Sequence, residues 1–208
     1  MTHKLIKTAM IVLAMITGIS GTTAYAQKDN APADKSDPRT WRDEGLYYYN
    51  QSEPNNLFVP IDANQPEGTK SGGYGTHVAQ AYSGGWATNK QQSLMSGAHA
   101  KRQIHHTSPK FYFYFKSDNI TPNQFTLVRF IEKRNNRIMV TGRSNAYGST
   151  SGIDEKQKVD FTYDKIADGT FKVYTRDPLS EGEYCFIYTG SAASSFADVV
   201  YDFGITSE

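Results

Sequence analysis

The chain has one cysteine, Cys185, among 208 residues. A lone thiol forms no internal disulfide, so the fold depends on an apolar core and not on covalent staples. Charge of one sign is also missing, since 22 Lys and Arg stand against 21 Asp and Glu. A near-neutral chain gives no electrostatic footing for nucleic acid or for an anionic membrane surface. Long hydrophobic runs are absent too. The apolar stretch near the start, Ala9–Ile19, falls short of the roughly 20 residues a membrane span requires. Beyond Gln27 no segment places apolar residues at a convincing helical spacing. The best candidate is a turn near Ala192–Ala197, and no internal repeat is visible.

The short apolar stretch has a specific setting. Lys4 and Lys7 precede it, and Ala24-Tyr25-Ala26 follows with small residues at the two positions a signal peptidase reads. That is the layout of a secretory signal peptide over residues 1–26, with Gln27 as the new start. Cleavage there leaves 182 of the 208 residues, with 20 basic against 21 acidic. The expectation is export: a secreted, periplasmic or cell-surface protein with no transmembrane segment after processing. Residues 27–40 are polar and contain two prolines, which reads as a flexible leader. A single domain is expected over 41–208.

Fourteen Tyr and eleven Phe supply the area for its core. Leu46–Tyr49 and Leu57–Ile61 read as strands joined by a turn at Pro54-Asn55-Asn56, with Pro60 marking an edge. Phe111–Phe115 is five aromatics in a row after Pro109, a pattern for burial on both faces. Phe125–Glu132 and Arg137–Arg143 predict a hairpin around Lys133–Asn136. Val159–Tyr163 and Phe171–Tyr174 alternate around an Asp168-Gly169 turn, and Glu183–Tyr188 and Val199–Ile205 add two more strands. Val78–Tyr82 reads as a short strand after the turn-rich Gln65–Gly75 loop. Turns at these intervals predict an all-β antiparallel sandwich, immunoglobulin-like or jelly-roll-like, of nine or ten strands. Cys185, between Tyr184 and Phe186, reads as a buried inert thiol.

Sites for chemistry are few. His105 and His106 are adjacent, with His99 six residues earlier and His77 further back. Neighbours on a strand point to opposite faces, so His99, His105 and His106 make only a weak alternative for a metal, and surface histidines are the plainer reading. No nucleophile elbow, phosphate-binding loop or complete calcium loop is present. Asp202-Phe203-Gly204 copies a kinase tripeptide without its partner motifs. The acids Asp43, Glu44, Asp160, Asp164, Glu181 and Glu183 read as solvated turn and edge residues, not as a catalytic pair. Arg129 and Arg143 lie in apolar strand patterns, and Arg129, if covered, requires a carboxylate such as Asp160 or Asp202. No catalytic residue and no cofactor is expected.

What remains is aromatic side chains beside Gly- and Ser-rich loops. Tyr48, Tyr74, Tyr82, Trp86 and Tyr147 are the candidate ligand-binding residues, suited to stacking on a sugar ring or anchoring a protein partner. The expected function is a non-catalytic secreted or periplasmic binding module. Two alternatives stand beside it: an extracytoplasmic hydrolase using a histidine and a carboxylate, and a structural subunit of an envelope assembly.

Several short segments carry a family resemblance. They are Gly45-Leu46-Tyr47-Tyr48, Ser96-Gly97-Ala98-His99-Ala100, Pro109–Phe115, Leu127-Val128-Arg129-Phe130, Leu179–Phe186 and Val200–Ile205. Together they resemble an uncharacterised family of secreted or surface bacterial β domains. The resemblance implies a β domain outside the cytoplasm and no particular activity.

Overall fold

The computed structural model describes residues 34–206, apart from 73, 192–194 and 198. The expected signal peptide and residues 27–33 lie outside the described residues, as does part of the Ala192–Ala197 turn. The strands are β1 (Gly45–Tyr49), β2 (Phe58–Pro60), β3 (Ala63–Asn64), β4 (Gly68–Lys70), β5 (Asn89–Ser96), β6 (Gln103–Ile104), β7 (Lys110–Tyr114), β8 (Phe125–Arg129), β9 (Ile131–Glu132), β10 (Asn136–Asn145), β11 (Gly148–Ser151), β12 (Lys158–Val159), β13 (Thr162–Ala167), β14 (Thr170–Tyr174), β15 (Gly182–Tyr188) and β16 (Val200–Ile205). One α-helix, α1 (Tyr74–Tyr82), lies between β4 and β5.

The protein is an all-β sandwich built from three sheets. The front sheet runs β13-β14-β7-β1-β2, the central sheet β12-β8-β15-β16-β3, and the back sheet β11-β10-β5-β4. β9 is added to β10, and β6 lies parallel to β16, whereas the ladders within the three sheets are antiparallel.

Alternation along the central strands sets up two cores. Tyr184, Phe186, Tyr201 and Phe203 face the front sheet, where they meet Leu46, Phe111, Phe113 and Phe171. Cys185 and Val200 belong to the opposite parity and meet Met95 and Met139 of the back sheet, with Val128 and Phe130 beside them. Both faces of the central sheet are covered, which is why its strands read as continuous apolar runs. In the first core Phe186 lies 5.1 Å from Phe111, 5.0 Å from Phe113 and 5.9 Å from Phe203, ring centre to ring centre. The contacts with Phe111 and Phe113 are edge-to-face, at 80° and 89°, and such geometry adds to the area they bury.

The five-aromatic run is covered on both faces, as its composition implies. Phe111, Phe113 and Phe115 enter the first core. Tyr112 and Tyr114 point the other way and are also buried. A strap of residues 34–42 covers that side. The Tyr114 hydroxyl donates to the Pro38 carbonyl (2.8 Å) and accepts from Arg42 Nη1 (2.8 Å), while the Arg42 guanidinium lies 3.6 Å above the Phe58 ring. Within the expected leader, Pro38 thus meets the sheet directly, and the Lys35 and Thr40 carbonyls reach it through Arg42.

Three other expectations change. Tyr74–Tyr82 contains a helix where Val78–Tyr82 read as a strand; alanines at 79 and 81 favour helix, and the run has no proline. The Phe125–Glu132 run does not form one hairpin arm. β8 pairs with β15 in the central sheet, β9 pairs with β10 in the back sheet, and the chain crosses between them at the buried Phe130. β5 is a strand that its sequence hides, because Asn89-Lys90-Gln91-Gln92 is mostly exposed and polar. The Asp168-Gly169 turn stands as expected. Gly169 has φ +65°, and a Cβ there would lie 2.3 Å from the Phe115 carbonyl oxygen, so glycine is required.

Candidate functional site

The candidate site is assembled at one end of the back sheet by two turns. Helix α1 is followed by Gly84 (φ 64°) and Gly85 (φ 92°), both left-handed, and the Gly85 N–H donates to the Gln80 carbonyl (2.6 Å). This closure turns the chain out to Trp86. Opposite it, β10 and β11 are joined by Ala146-Tyr147, with Asn145 and Gly148 in register. The Asn145 side-chain oxygen accepts from the N–H groups of Tyr147 (2.9 Å) and Gly148 (3.0 Å), so the hairpin tip is held by its own asparagine.

The two turns are joined directly. The Ala146 N–H donates to the Gly85 carbonyl (3.2 Å), and the Tyr147 hydroxyl donates to the Gly84 carbonyl (2.6 Å). A Cβ on Gly85 would lie 2.6 Å from the Ala146 Cβ, so this close approach needs glycine for its space as well as its φ. The result is an aromatic pair: the Trp86 and Tyr147 rings lie 4.8 Å apart at 36°. Trp86 is 70% exposed and Tyr147 65%, and Tyr82, at the end of α1, is 91% exposed. Among the described residues few other large hydrophobic side chains are exposed, namely Trp41 and Ile131.

Beside Tyr147 the sheet end forms a recess lined by Thr88, Arg143, Asn145, Ser149 and Thr150. Arg143 Nη2 bonds to Asp154 Oδ2. The Arg143 hydrogen bond is the main cause holding the Asp154 carboxyl below its ordinary pKa; the Lys156 N–H and the nearby Lys90 charge act the same way, and burial opposes them.

Of the five aromatics singled out from the sequence, Trp86 and Tyr147 come together and Tyr82 lies four residues before Trp86. Tyr48 does not belong to the group. It sits in β1, not in a loop, and is 6% exposed within the first core, because its parity in the strand turns it inward. Tyr74 is the first residue of α1.

The histidines separate. His105 Nδ1 meets the Thr206 hydroxyl (3.0 Å). The His106 ring lies 5.8 Å from Tyr48, and burial, with Lys110 nearby, lowers its pKa. His99 Nδ1 lies 3.0 Å from Glu183 Oε1. Among the described residues no group of three His, Cys, Asp or Glu side chains is placed to hold a metal.

Glu183 is not the solvated acid its sequence neighbours imply. It is 2% exposed and belongs to a buried network. Arg137 of β10, 3% exposed, bonds to Asp202 Oδ2 and lies 3.7 Å from Glu183 Oε2. Its other guanidinium nitrogens donate to the carbonyls of Gly97 (3.2 Å) and Ser96 (2.9 Å). Glu183 accepts from the Ala100 N–H (2.7 Å) and from Gln103 Nε2 (3.2 Å), and Asp202 accepts from Asn64 (2.6 Å). Buried charge is tolerated when it is this fully bonded. The partner of Asp202 is Arg137, whereas Arg129 is exposed and donates to the Glu181 carbonyl (2.8 Å). Three segments distant in sequence, Ser96–Ala100, Leu179–Phe186 and Val200–Ile205, thus converge on one ion network. The signal available in sequence was parity: Glu183 and Asp202 are polar residues in step with Cys185 and Val200.

No protein family, no curated protein and no solved structure matches this chain. Among the described residues no helix is long and apolar enough to cross a membrane.

Proposed function

We propose that the chain is an exported, non-catalytic binding module that takes a saccharide on the Trp86–Tyr147 platform. The observation that carries this reading is the pair itself: two large rings, in contact and open to solvent, held on glycine- and asparagine-built turns beside a recess of hydroxyl and amide groups. A sugar presents C–H faces to aromatic rings and hydroxyls to polar side chains, so the two halves of the site suit the two halves of the ligand. A protein partner would use the same rings as anchors. A glycan array probed with the purified chain tests the proposal. Binding that Trp86→Ala and Tyr147→Ala abolish supports it. Silence across the array, or binding indifferent to both changes, rejects it.

The His99–Glu183 contact favours a second reading, a hydrolase in which a buried carboxylate orients an exposed imidazole. Turnover of an ester, peptide or glycoside panel that is lost in His99→Ala would favour it over the first. A chain inert toward the whole panel would remove it.

A further inference from the structure

The charge at the recess narrows the ligand class. Among the residues lining it, Arg143 is the one with a charged side chain. Arg143 stands directly opposite Lys90 of β5 and Thr150 of β11, so the three share one face of the back sheet. Two cations placed opposite each other repel, and a carboxylate is needed between or beside them. Asp154 supplies one, but it lies inward: its side chain is 10% exposed against 35% for Arg143. The carboxylate is covered while the guanidinium opens to the recess and Lys90 stays exposed. Two positive charges against one largely covered negative leave this face of the sheet end positive. Asp154 also fixes the guanidinium through one nitrogen, leaving further N–H donors for a second carboxylate.

We propose that the saccharide bound at the Trp86–Tyr147 platform is acidic, with its carboxylate held by Arg143 and Lys90 while a ring of the same chain stacks on the aromatic pair. This rests on the platform being the binding site. The ligand class is a uronic-acid-type oligosaccharide, recognised by charge-assisted hydrogen bonds at one end and ring stacking at the other.

The test compares a galacturonic acid tetrasaccharide with its methyl ester, the same backbone without the charge, by calorimetric titration of the purified chain. Maltotetraose and chitotetraose serve as neutral probes. The acid form is expected to bind roughly tenfold or more tightly than the ester, the scale of one charge-assisted hydrogen bond. Arg143→Gln removes that preference. Lys90→Gln, at an exposed position, weakens it while leaving the Arg143–Asp154 hydrogen bond in place, which keeps the test valid if Arg143→Gln folds poorly. Equal binding of acid and ester, or binding of neutral probes alone, overturns the acidic class and leaves the platform standing. Acid binding that Trp86→Ala does not change also overturns the proposal, because it marks a diffuse charge effect. Failure of every saccharide overturns the platform reading with it.

Discussion

Trp86 and Tyr147 lie against each other outside both hydrophobic cores. Their ring centres are 4.8 Å apart, and the phenol is tethered through its hydroxyl to the Gly84 carbonyl, so the pair is positioned by backbone and not by packing. Trp86→Ala is therefore expected to change stability by no more than about 0.5 kcal/mol, the range for surface positions. Gly85→Ala is expected to do the reverse at the site: its φ of 92° and the 2.6 Å approach to Ala146 force the two turns apart. Urea unfolding of both variants, read beside their saccharide affinities, checks the separation. A large stability loss in Trp86→Ala would show that the ring is part of the core.

Arg137 is expected to be among the costliest polar positions to change. Arg137→Met leaves Asp202 and Glu183 buried without their cation, a loss of about 3–5 kcal/mol. The midpoint of urea unfolding measures it. A variant as stable as the parent would mean that water or Asn64, Gln103 and the Ala100 N–H suffice for the two carboxylates.

Cys185 is fully buried, directly opposite Asp202 in the β15–β16 ladder. Burial first, and the Asp202 charge second, push its thiol well above the ordinary pKa, with Arg137 opposing. The thiolate is the reactive form, so a thiol reagent should label the native protein only as fast as it opens. Rapid labelling in the absence of denaturant would contradict the buried position.

The phenols of Tyr114 and Tyr201 give the fold an alkaline limit. Burial pushes each up to about 12; Arg42 opposes the shift at Tyr114, and the Glu44 charge adds to it at Tyr201. In the unfolded chain they release protons near about 10. The folded state thus holds protons that the unfolded state has lost, and stability falls as pH rises. Their contribution is complete below about pH 10 and is lost between about 10 and 12. Urea midpoints across that window should fall, and Tyr114→Phe should reduce the slope.

Sequence reasoning reached the parts of the fold that obey simple periodicity. The aromatic run of β7, the Gly169 turn and β14, the β1–β2 pair with Pro60 on the edge strand, and β15 and β16 all follow from alternation and turn chemistry. The expected Val159–Tyr163 strand divides instead: Lys158–Val159 joins the central sheet as β12, while Thr162 and Tyr163 open β13 in the front sheet. It did not reach β5, whose outer residues are polar because that end of the back sheet is open to water. Nor did it reach the division of Phe125–Glu132 between two sheets, since a crossing at Phe130 leaves no mark on a pattern that is apolar on both sides. Of the candidate site, Trp86, Tyr147 and Tyr82 were legible as large rings beside glycines. The buried network was not, because Arg137, Glu183 and Asp202 are far apart in sequence and each looks ordinary among its neighbours.

All six residues of Val200–Ile205 are buried, and their partners are drawn from residues 63–64, 103–104 and 182–187. Of the described strands this one leaves the ribosome last, yet it forms part of the wall common to both hydrophobic interiors. A nascent chain must hold the phenylalanines and tyrosines of both interiors unsealed until this strand has emerged. Closure of both interiors thus waits on pairings between segments distant in sequence, the kind of contact that slows folding.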